Sequence, residues 1–140
     1  MPTLFSRIIA GEIPGTFVWR DDQAVAFMSI APASPGHTLV VPVAEVDHWI
    51  DLPVELARHL MGVAHWIGRA QKQAFGRARV GLVVAGLEVP HTHVHVIPMD
   101  GMSDLALPPP PDQPDFEALA AASAKIRTEL RTLGAPGVTD

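Results

Sequence analysis

Apolar residues recur at helical spacing in three stretches of the chain, which predict helices over residues 3–11, 53–75 and 115–133. Thr3 is suited to cap the first helix, and Gly11 is suited to end it. Pro53 stands where a helix start favours proline, and Gly76 directly follows the second pattern. We therefore expect a short first helix, a long central helix and a helix near the C-terminus.

Shorter apolar segments, separated by turn-forming residues, predict five strands over residues 16–19, 24–30, 37–42, 79–85 and 91–98. The order along the chain is one helix, three strands, the long helix, two strands and a last helix. This order predicts an α+β fold with a mostly antiparallel sheet.

A proline-rich run interrupts the chain at residues 108–114. Neither a helix nor a central strand can contain this run, so it is predicted to be an extended linker. It divides the chain into a predicted domain over residues 1–107 and a C-terminal helix and tail over residues 115–140.

The composition narrows the classes of protein that remain. The 140 residues include no cysteine, which excludes disulfides, zinc ribbons and cysteine nucleophiles. A formal net charge of −5 argues against broad electrostatic binding of nucleic acid. The sequence shows neither an apolar run of about 18 residues nor a signal-peptide pattern at its start. We expect a cytoplasmic globular protein that binds neither nucleic acid nor membranes.

Three of the seven histidines alternate along the last predicted strand, at His91, His93 and His95. Because strand side chains alternate between the two faces, the three imidazoles are predicted to project from one face, about 6–7 Å apart. Val94 and Val96 then project into the core from the other face. Neighbouring rings at this separation can contact one phosphoryl group.

Three interpretations of these histidines remain open: an exposed polar face, a metal site, or imidazole chemistry on a phosphate. The spacing suits a metal ion, but the sequence supplies neither a cysteine nor an obvious carboxylate motif beside it. A neutral imidazole is nucleophilic near pH 7, and adjacent rings disfavour simultaneous protonation. One ring can then attack while its neighbour donates a proton, so chemistry on a phosphate is favoured.

The run from His91 to Ile97 resembles the signature of the histidine triad (HIT) family, in which three histidines alternate with apolar residues. Thr92 is the one polar residue at the apolar positions. Further family-like segments, in the family's order, are residues 4–14, 21–27 and 35–42, so that the likeness spans residues 3–98. The resemblance implies a HIT-like fold with a five-stranded antiparallel sheet, two helices and an added C-terminal helix.

The resemblance also implies an activity, that of a nucleotidyl hydrolase or transferase acting on phosphoramidates, phosphoanhydrides or dinucleoside polyphosphates. In the family pattern His93 attacks the α-phosphorus and forms a covalent nucleotidyl-histidine. His95 contacts the phosphoryl oxygens, and His91 orients the set and moves protons. Neither a cofactor nor a metal is expected.

A nucleotide pocket is implied by the same resemblance. Its predicted residues are Leu4, Phe5, Ile8, Phe27, Ser29, Ile30 and Glu88. The favoured ligand is an AMP-like purine nucleotide. Family members form homodimers through the long helix and the adjoining strand, and we expect the same here.

Several positions near the expected nucleotide depart from the family pattern. Ser29 replaces an aspartate that holds the ribose, while Leu87 and Glu88 replace polar residues that assist the phosphate and leaving group. These changes motivate an alternative, a nucleotide-binding or interaction module with weak catalysis. A second alternative is a metal-binding protein that uses the His-x-His-x-His run.

Other departures lie further from the expected phosphate. Thr3 and Ser6 stand where some family members have zinc-binding cysteines, so a structural zinc is not expected there. Glu45 replaces a histidine, with His48 three residues on, and we expect His48 to cap a helix or to lie at the surface.

Overall fold

The computed structural model describes residues 2–140, so Met1, the first residue of the predicted domain, lies outside the described residues. Three α-helices form where the apolar pattern predicts them: α1 (Leu4–Ile9), α2 (Val54–Phe75) and α3 (Phe116–Thr132). Thr3 and Asp115 cap α1 and α3, each through a side-chain oxygen that accepts a backbone N–H. Gly76 ends α2 with a left-handed φ of 64°.

One sheet contains the strands β1 (Phe17–Arg20), β2 (Ala24–Met28), β3 (Thr38–Pro42), β4 (Arg79–Val83) and β5 (Val94–Met99). The order across the sheet is β1-β2-β3-β5-β4, and each neighbouring pair is antiparallel. Short 3₁₀ helices occupy Trp49–Asp51 and Met102–Leu105. The predicted HIT-like α+β fold is therefore confirmed.

The two faces of the sheet carry separate apolar clusters, because successive side chains of a strand point to opposite faces. On one face α2 and α3 pack against residues such as Val40 and Val96. On the other face α1 contributes Phe5 and Ile8 to a smaller cluster that includes Phe27. The α1 face carries the candidate site.

The C-terminal segment packs on its own chain. Leu119, Ile126 and Leu130 of α3 are buried in the same cluster as α2 and the sheet. Beyond α3, Val138 forms a bridge with Trp19 of β1. The tail therefore covers the β1 edge of the sheet, and α3 covers apolar surface of α2. The domain boundaries at residues 107 and 115 stay a prediction.

The predicted strand over residues 91–98 is wrong at its start, because β5 begins at Val94. The ladder between β3 and β5 ends at the pair of Val40 and Val94. Beyond it, Pro42 has no backbone N–H to donate, and its carbonyl oxygen lies 2.8 Å from Nε2 of His91. The ring of His91 thus occupies a backbone acceptor of β3, the Pro42 carbonyl. His91 and His93 both precede β5.

Within residues 2–140, every helix is too short or too polar to cross a membrane. The cytoplasmic location stays a prediction.

Candidate active site

A cavity of about 640 Å³ opens on the α1 face of the sheet, within the range of roughly 300–1,000 Å³ typical of small-molecule sites. Its walls come from α1, the ends of β2 and β3, the loop before β5, and the proline-rich segment. Three histidines line it: His37, His93 and His95. Most of the other lining residues are apolar, so the histidines are the main polar groups that a ligand meets.

His93 lies in the cavity wall with only 8% of its surface exposed. Its Nδ1 is 2.7 Å from the backbone carbonyl oxygen of His91. Because a carbonyl oxygen can only accept, neutral His93 carries its proton on Nδ1 and leaves Nε2 unprotonated. Phe5 packs edge-to-face against the ring, with the two ring centroids 4.9 Å apart. This tautomer presents a nitrogen lone pair that can attack an electrophile.

His95 has the opposite tautomer, and His37 determines it. The backbone N–H of Ala33 donates to Nδ1 of His37 at 3.0 Å, so His37 carries its proton on Nε2. That Nε2 lies 2.9 Å from Nδ1 of His95, which must therefore accept. Neutral His95 then carries its proton on Nε2 and can donate it. With the His93 and His95 ring centroids 5.0 Å apart, a lone pair and an N–H donor stand side by side.

His91 lies behind the cavity, contrary to the prediction that its ring shares a face and a ligand with the other two. Its side chain is fully buried, and it is not among the residues that line the cavity. Nε2 contacts the carbonyl oxygen of Pro42 at 2.8 Å, and Nδ1 contacts Oγ1 of Thr3 at 2.7 Å. Both ring nitrogens are thus engaged away from the cavity, which suits an orienting role and not proton transfer to a ligand.

Burial keeps the cavity histidines neutral. Desolvation, assisted by the charge of His95, lowers the pKa of His37 from 6.5 to about 3. Desolvation, assisted by the charge of His93, lowers the pKa of His95 to about 4. The pKa of His93 is also lowered by burial, although its hydrogen bond to the His91 carbonyl opposes the shift. The tautomers assigned above to His93 and His95 are those of neutral imidazoles, so the lowered pKa values support both assignments.

All the predicted nucleotide-pocket residues line the cavity: Leu4, Phe5, Ile8, Phe27, Ser29, Ile30 and Glu88. Phe5 and Phe27 pack edge-to-face, while Leu4 and Ile30 are 43% and 42% exposed. Side chains that line a cavity and remain partly exposed are available to cover a ligand. Whether they bind a nucleotide stays a prediction.

The two polar residues of the predicted pocket, Ser29 and Glu88, differ in their exposure and in their hydrogen-bond partners. Ser29 is buried, and its Oγ accepts the backbone N–H of Ala31 at 3.2 Å. Glu88 is exposed at the mouth of the cavity, and its negative charge partly opposes the lowering of the His93 pKa. Ser29 therefore already has a local partner, whereas Glu88 is free to meet a ligand or solvent.

Sequence reasoning missed two features of the site. The sequence analysis includes His37 only within the third family-like segment, although the backbone N–H of Ala33, in the loop before it, donates to its Nδ1. The proline-rich segment is predicted to be a linker, yet it forms a wall of the cavity through Pro108, Pro109, Pro110 and Pro114, together with the flanking residues Leu107 and Phe116. Its composition predicts stiffness but gives no signal of the face that it crosses.

Among residues 2–140, no three His, Cys, Asp or Glu side chains are placed so that they could hold one metal ion. His91 illustrates the reason, since its two nitrogens already have protein partners. His48 contributes to a cap instead, accepting the backbone N–H of Ile50 in the 3₁₀ helix at Trp49–Asp51.

The fold and the site together define a histidine triad protein. The family model for the HIT domain matches residues 10–102. The chain therefore belongs to the HIT family, within the superfamily of nucleotide hydrolases and transferases.

Individual relatives agree with this assignment. A HIT-like protein of Methanocaldococcus jannaschii is 37% identical over 99 residues, which cover 68% of this chain and 77% of the relative. The adenosine 5′-monophosphoramidase of Saccharomyces cerevisiae is 29% identical over 129 residues, covering 91% of this chain and 82% of the relative. The crystal structure of a hypothetical histidine triad nucleotide-binding protein from Sulfolobus tokodaii superposes with a TM-score of 0.80 at 28% identity, covering 92% of each chain.

Proposed function

We propose that the protein is a nucleoside phosphoramidate hydrolase that acts through a covalent nucleotidyl-histidine at His93. The observation that carries this proposal is the hydrogen bond from Nδ1 of His93 to the His91 carbonyl oxygen, which leaves Nε2 with a lone pair in the cavity wall. The similarity to the yeast adenosine 5′-monophosphoramidase supports a phosphoramidate as the substrate class.

The proposed reaction has two steps. First, Nε2 of His93 forms a bond to the α-phosphorus while the bond from phosphorus to the leaving amine breaks, and the amine takes a proton from water at the cavity mouth. His95 donates its Nε2–H to a phosphoryl oxygen and so stabilises the charge that develops there. Second, water attacks the phosphorus, the bond to Nε2 breaks, and a nucleoside monophosphate leaves with His93 restored; the proton that the attacking water loses returns to the solvent and replaces the one that the amine took.

The charge of the cavity favours a phosphoramidate over a dinucleoside polyphosphate. Among the described residues that line it, Glu88 is the only one with a formal charge when the histidines are neutral. The walls therefore provide neither a lysine nor an arginine to balance the several negative charges of a polyphosphate chain. A nucleoside phosphoramidate has one ester bond and one P–N bond, so it places a single negative charge beside the histidines, and Glu88 can attract an amine that becomes protonated as it leaves.

Acid quenching and intact-mass measurement test the covalent route. The protein is mixed with an adenosine 5′-phosphoramidate, and a diadenosine polyphosphate serves as the matched comparison. We expect a mass increase of one adenylyl group, located at His93 by peptide mapping, and a smaller yield from the polyphosphate. Binding of AMP by calorimetry with no adduct and no turnover would contradict the enzyme and support the alternative, a nucleotide-binding module with weak catalysis.

The pH dependence of kcat/KM should reflect the lowered pKa of His93. Protonation of Nε2 removes the nucleophile, and burial lowers the pKa at which this happens below 6.5. At pH 6 about three quarters of a free imidazole is protonated, whereas a smaller fraction of His93 should be protonated. We therefore expect kcat/KM to fall at low pH with a midpoint below 6.5; a midpoint at or above 6.5 contradicts the assignment.

A stability control accompanies this measurement. The buried histidines have lower pKa values in the folded chain than in the unfolded chain, so the unfolded chain binds more protons below pH 6.5. Folding stability therefore falls as the pH drops from 6.5 toward about 3. The thermal unfolding midpoint at each pH separates loss of the fold from protonation of the nucleophile.

A homodimer is part of the same proposal. The strand β4 is the last in the sheet order, and its Leu82 is 41% exposed. Met61 on α2 is 57% exposed. Pairing of β4 with its copy would bury these apolar side chains and continue the sheet across two subunits. Size-exclusion chromatography with light scattering should give twice the mass of 15.0 kDa.

A further inference from the structure

Four side chains from three separate segments meet beneath the cavity and form a hydrogen-bonded cluster. We name Thr3, Ser6, Glu45 and His91 the Thr3 relay. Oε1 of Glu45 accepts the backbone N–H of Thr3 and the Oγ–H of Ser6, each at 2.7 Å. Oγ1 of Thr3 lies 2.7 Å from Nδ1 of His91 and accepts the backbone N–H of Ser6 at 3.1 Å. The relay joins the start of α1 and the loop after β3 to the loop before β5.

The donors and acceptors of the relay determine the atom to which each hydroxyl proton is donated. Ser6 gives its hydroxyl proton to Glu45, whose pKa is lowered chiefly by the N–H of Thr3, so the carboxylate remains an acceptor. The hydroxyl of Thr3 has one proton and two neighbours, Oγ of Ser6 at 3.3 Å and Nδ1 of His91 at 2.7 Å. The shorter contact is to His91, whose Nδ1 is unprotonated because the Pro42 carbonyl holds the proton on Nε2.

The relay reaches the cavity through the backbone of His91. Thr3 and Pro42 hold the two ring nitrogens of His91, and the ring is fully buried. A side chain fixed at both nitrogens restricts its own backbone, whose carbonyl oxygen accepts Nδ1–H of His93 at 2.7 Å. The orientation and tautomer of the proposed nucleophile therefore depend on a contact made by Thr3, although Thr3 does not line the cavity.

We propose that Thr3 and Glu45 are positioning residues for His93, acting through His91. Glu45 fixes the position of Thr3 by accepting its backbone N–H, and Thr3 holds the ring of His91 so that its carbonyl meets His93. The inference rests on the proposed function for its kinetic consequence. Its structural part, the tautomer of His93, is measurable without any turnover.

Replacement of Thr3 with valine or serine distinguishes its role in the relay from its role in capping α1. Thr3→Val keeps the shape but removes the hydroxyl, so Nδ1 of His91 is buried without a donor. We expect kcat to fall about ten- to a hundred-fold, as a small displacement of a reacting group does, with KM changed less than about twofold. Thr3→Ser restores the hydroxyl and should restore kcat. If Thr3 served only to cap α1, KM would rise instead, because Leu4, Phe5 and Ile8 of α1 line the cavity.

Nitrogen-15 NMR of the histidine rings provides the second readout. In the natural protein and in Thr3→Ser, His93 should show a protonated, hydrogen-bonded Nδ1 and an unprotonated Nε2. In Thr3→Val the Nδ1–H resonance of His93 should broaden or shift, together with the Nδ1 resonance of His91. Unchanged histidine spectra and unchanged kcat in Thr3→Val overturn the inference. Absence of turnover in the natural protein, with the expected spectral change in the variant, overturns the proposed function alone.

Glu45 and Glu12 supply a pair of exposed carboxylates for a milder test. Glu45→Ala should lower kcat about three- to tenfold, the effect of the one hydrogen bond that Thr3 loses, because its backbone N–H no longer has the Glu45 acceptor that fixes its position. Glu12→Ala removes an exposed carboxylate that follows α1 and pairs with Arg7 of that helix, outside the relay and the cavity. It should leave kcat and the histidine spectra unchanged. Equal effects of the two substitutions would refute a specific role for Glu45.

Discussion

Replacement of His93 with alanine should lower turnover of an adenosine phosphoramidate by at least about 10³-fold, because it deletes the nucleophile of the covalent route. The cavity walls supplied by α1, β2 and the proline-rich segment remain, so AMP should still bind with an affinity within about tenfold of the natural protein's. Steady-state kinetics measures the first effect, and calorimetry measures the second.

His48→Ala is the matched control for this substitution. His48 is exposed, lies outside the cavity and makes a single long contact of 3.4 Å to the Ile50 N–H. Turnover should be unchanged in this variant. Retention of most of the activity by His93→Ala, or an equal loss in both variants, would falsify the assignment of the nucleophile.

Replacement of Ile126 with alanine should destabilise the whole domain by about 2–5 kcal/mol, the usual cost of a large-to-small change in a packed core. The side chain is fully buried in the cluster that α3 shares with α2 and the sheet. Urea unfolding followed by tryptophan fluorescence and circular dichroism should give one shared transition, shifted to lower denaturant.

Thr128→Ala provides the control on the same helix, because Thr128 is exposed and its hydroxyl bonds only the Ala124 carbonyl within α3. Its effect should stay within about 0.5 kcal/mol. If α3 were an appendage, Ile126→Ala would melt the helix in a separate early transition and leave the main transition in place. That result would contradict a shared core.

The place of the histidine cluster along the chain could be predicted from the sequence, but the arrangement of the three rings could not. Alternation correctly separates Val94 and Val96 from His93 and His95. It fails at His91, because the alternation rule holds only where the backbone is extended, and the ladder with β3 ends before that residue. The ring centroids of His93 and His95, at 5.0 Å, lie closer than the predicted separation of about 6–7 Å.

The role of His37 illustrates a second limit on what the sequence can predict. The histidine follows the turn formers Pro35 and Gly36, which predict a tight loop but not which imidazole the loop will meet. Its partner, His95, is 58 residues away in sequence, and the pairing depends on β3 lying beside β5. A hydrogen bond between distant residues leaves no periodic pattern, so it cannot be read from one sequence.

Local signals in the sequence determined the helices, the residues that begin and end α1 and α2, and the core face of β5, because these depend on neighbours within a few residues. The family signature in the run from His91 to Ile97 likewise identified the class of protein and the ring proposed to react. The tertiary structure alone decided that the proline-rich segment closes the cavity, that α3 completes the core, and that Thr3 holds His91. Each of these results requires strands and loops far apart in sequence to meet, and only the folded chain brings them within bonding distance.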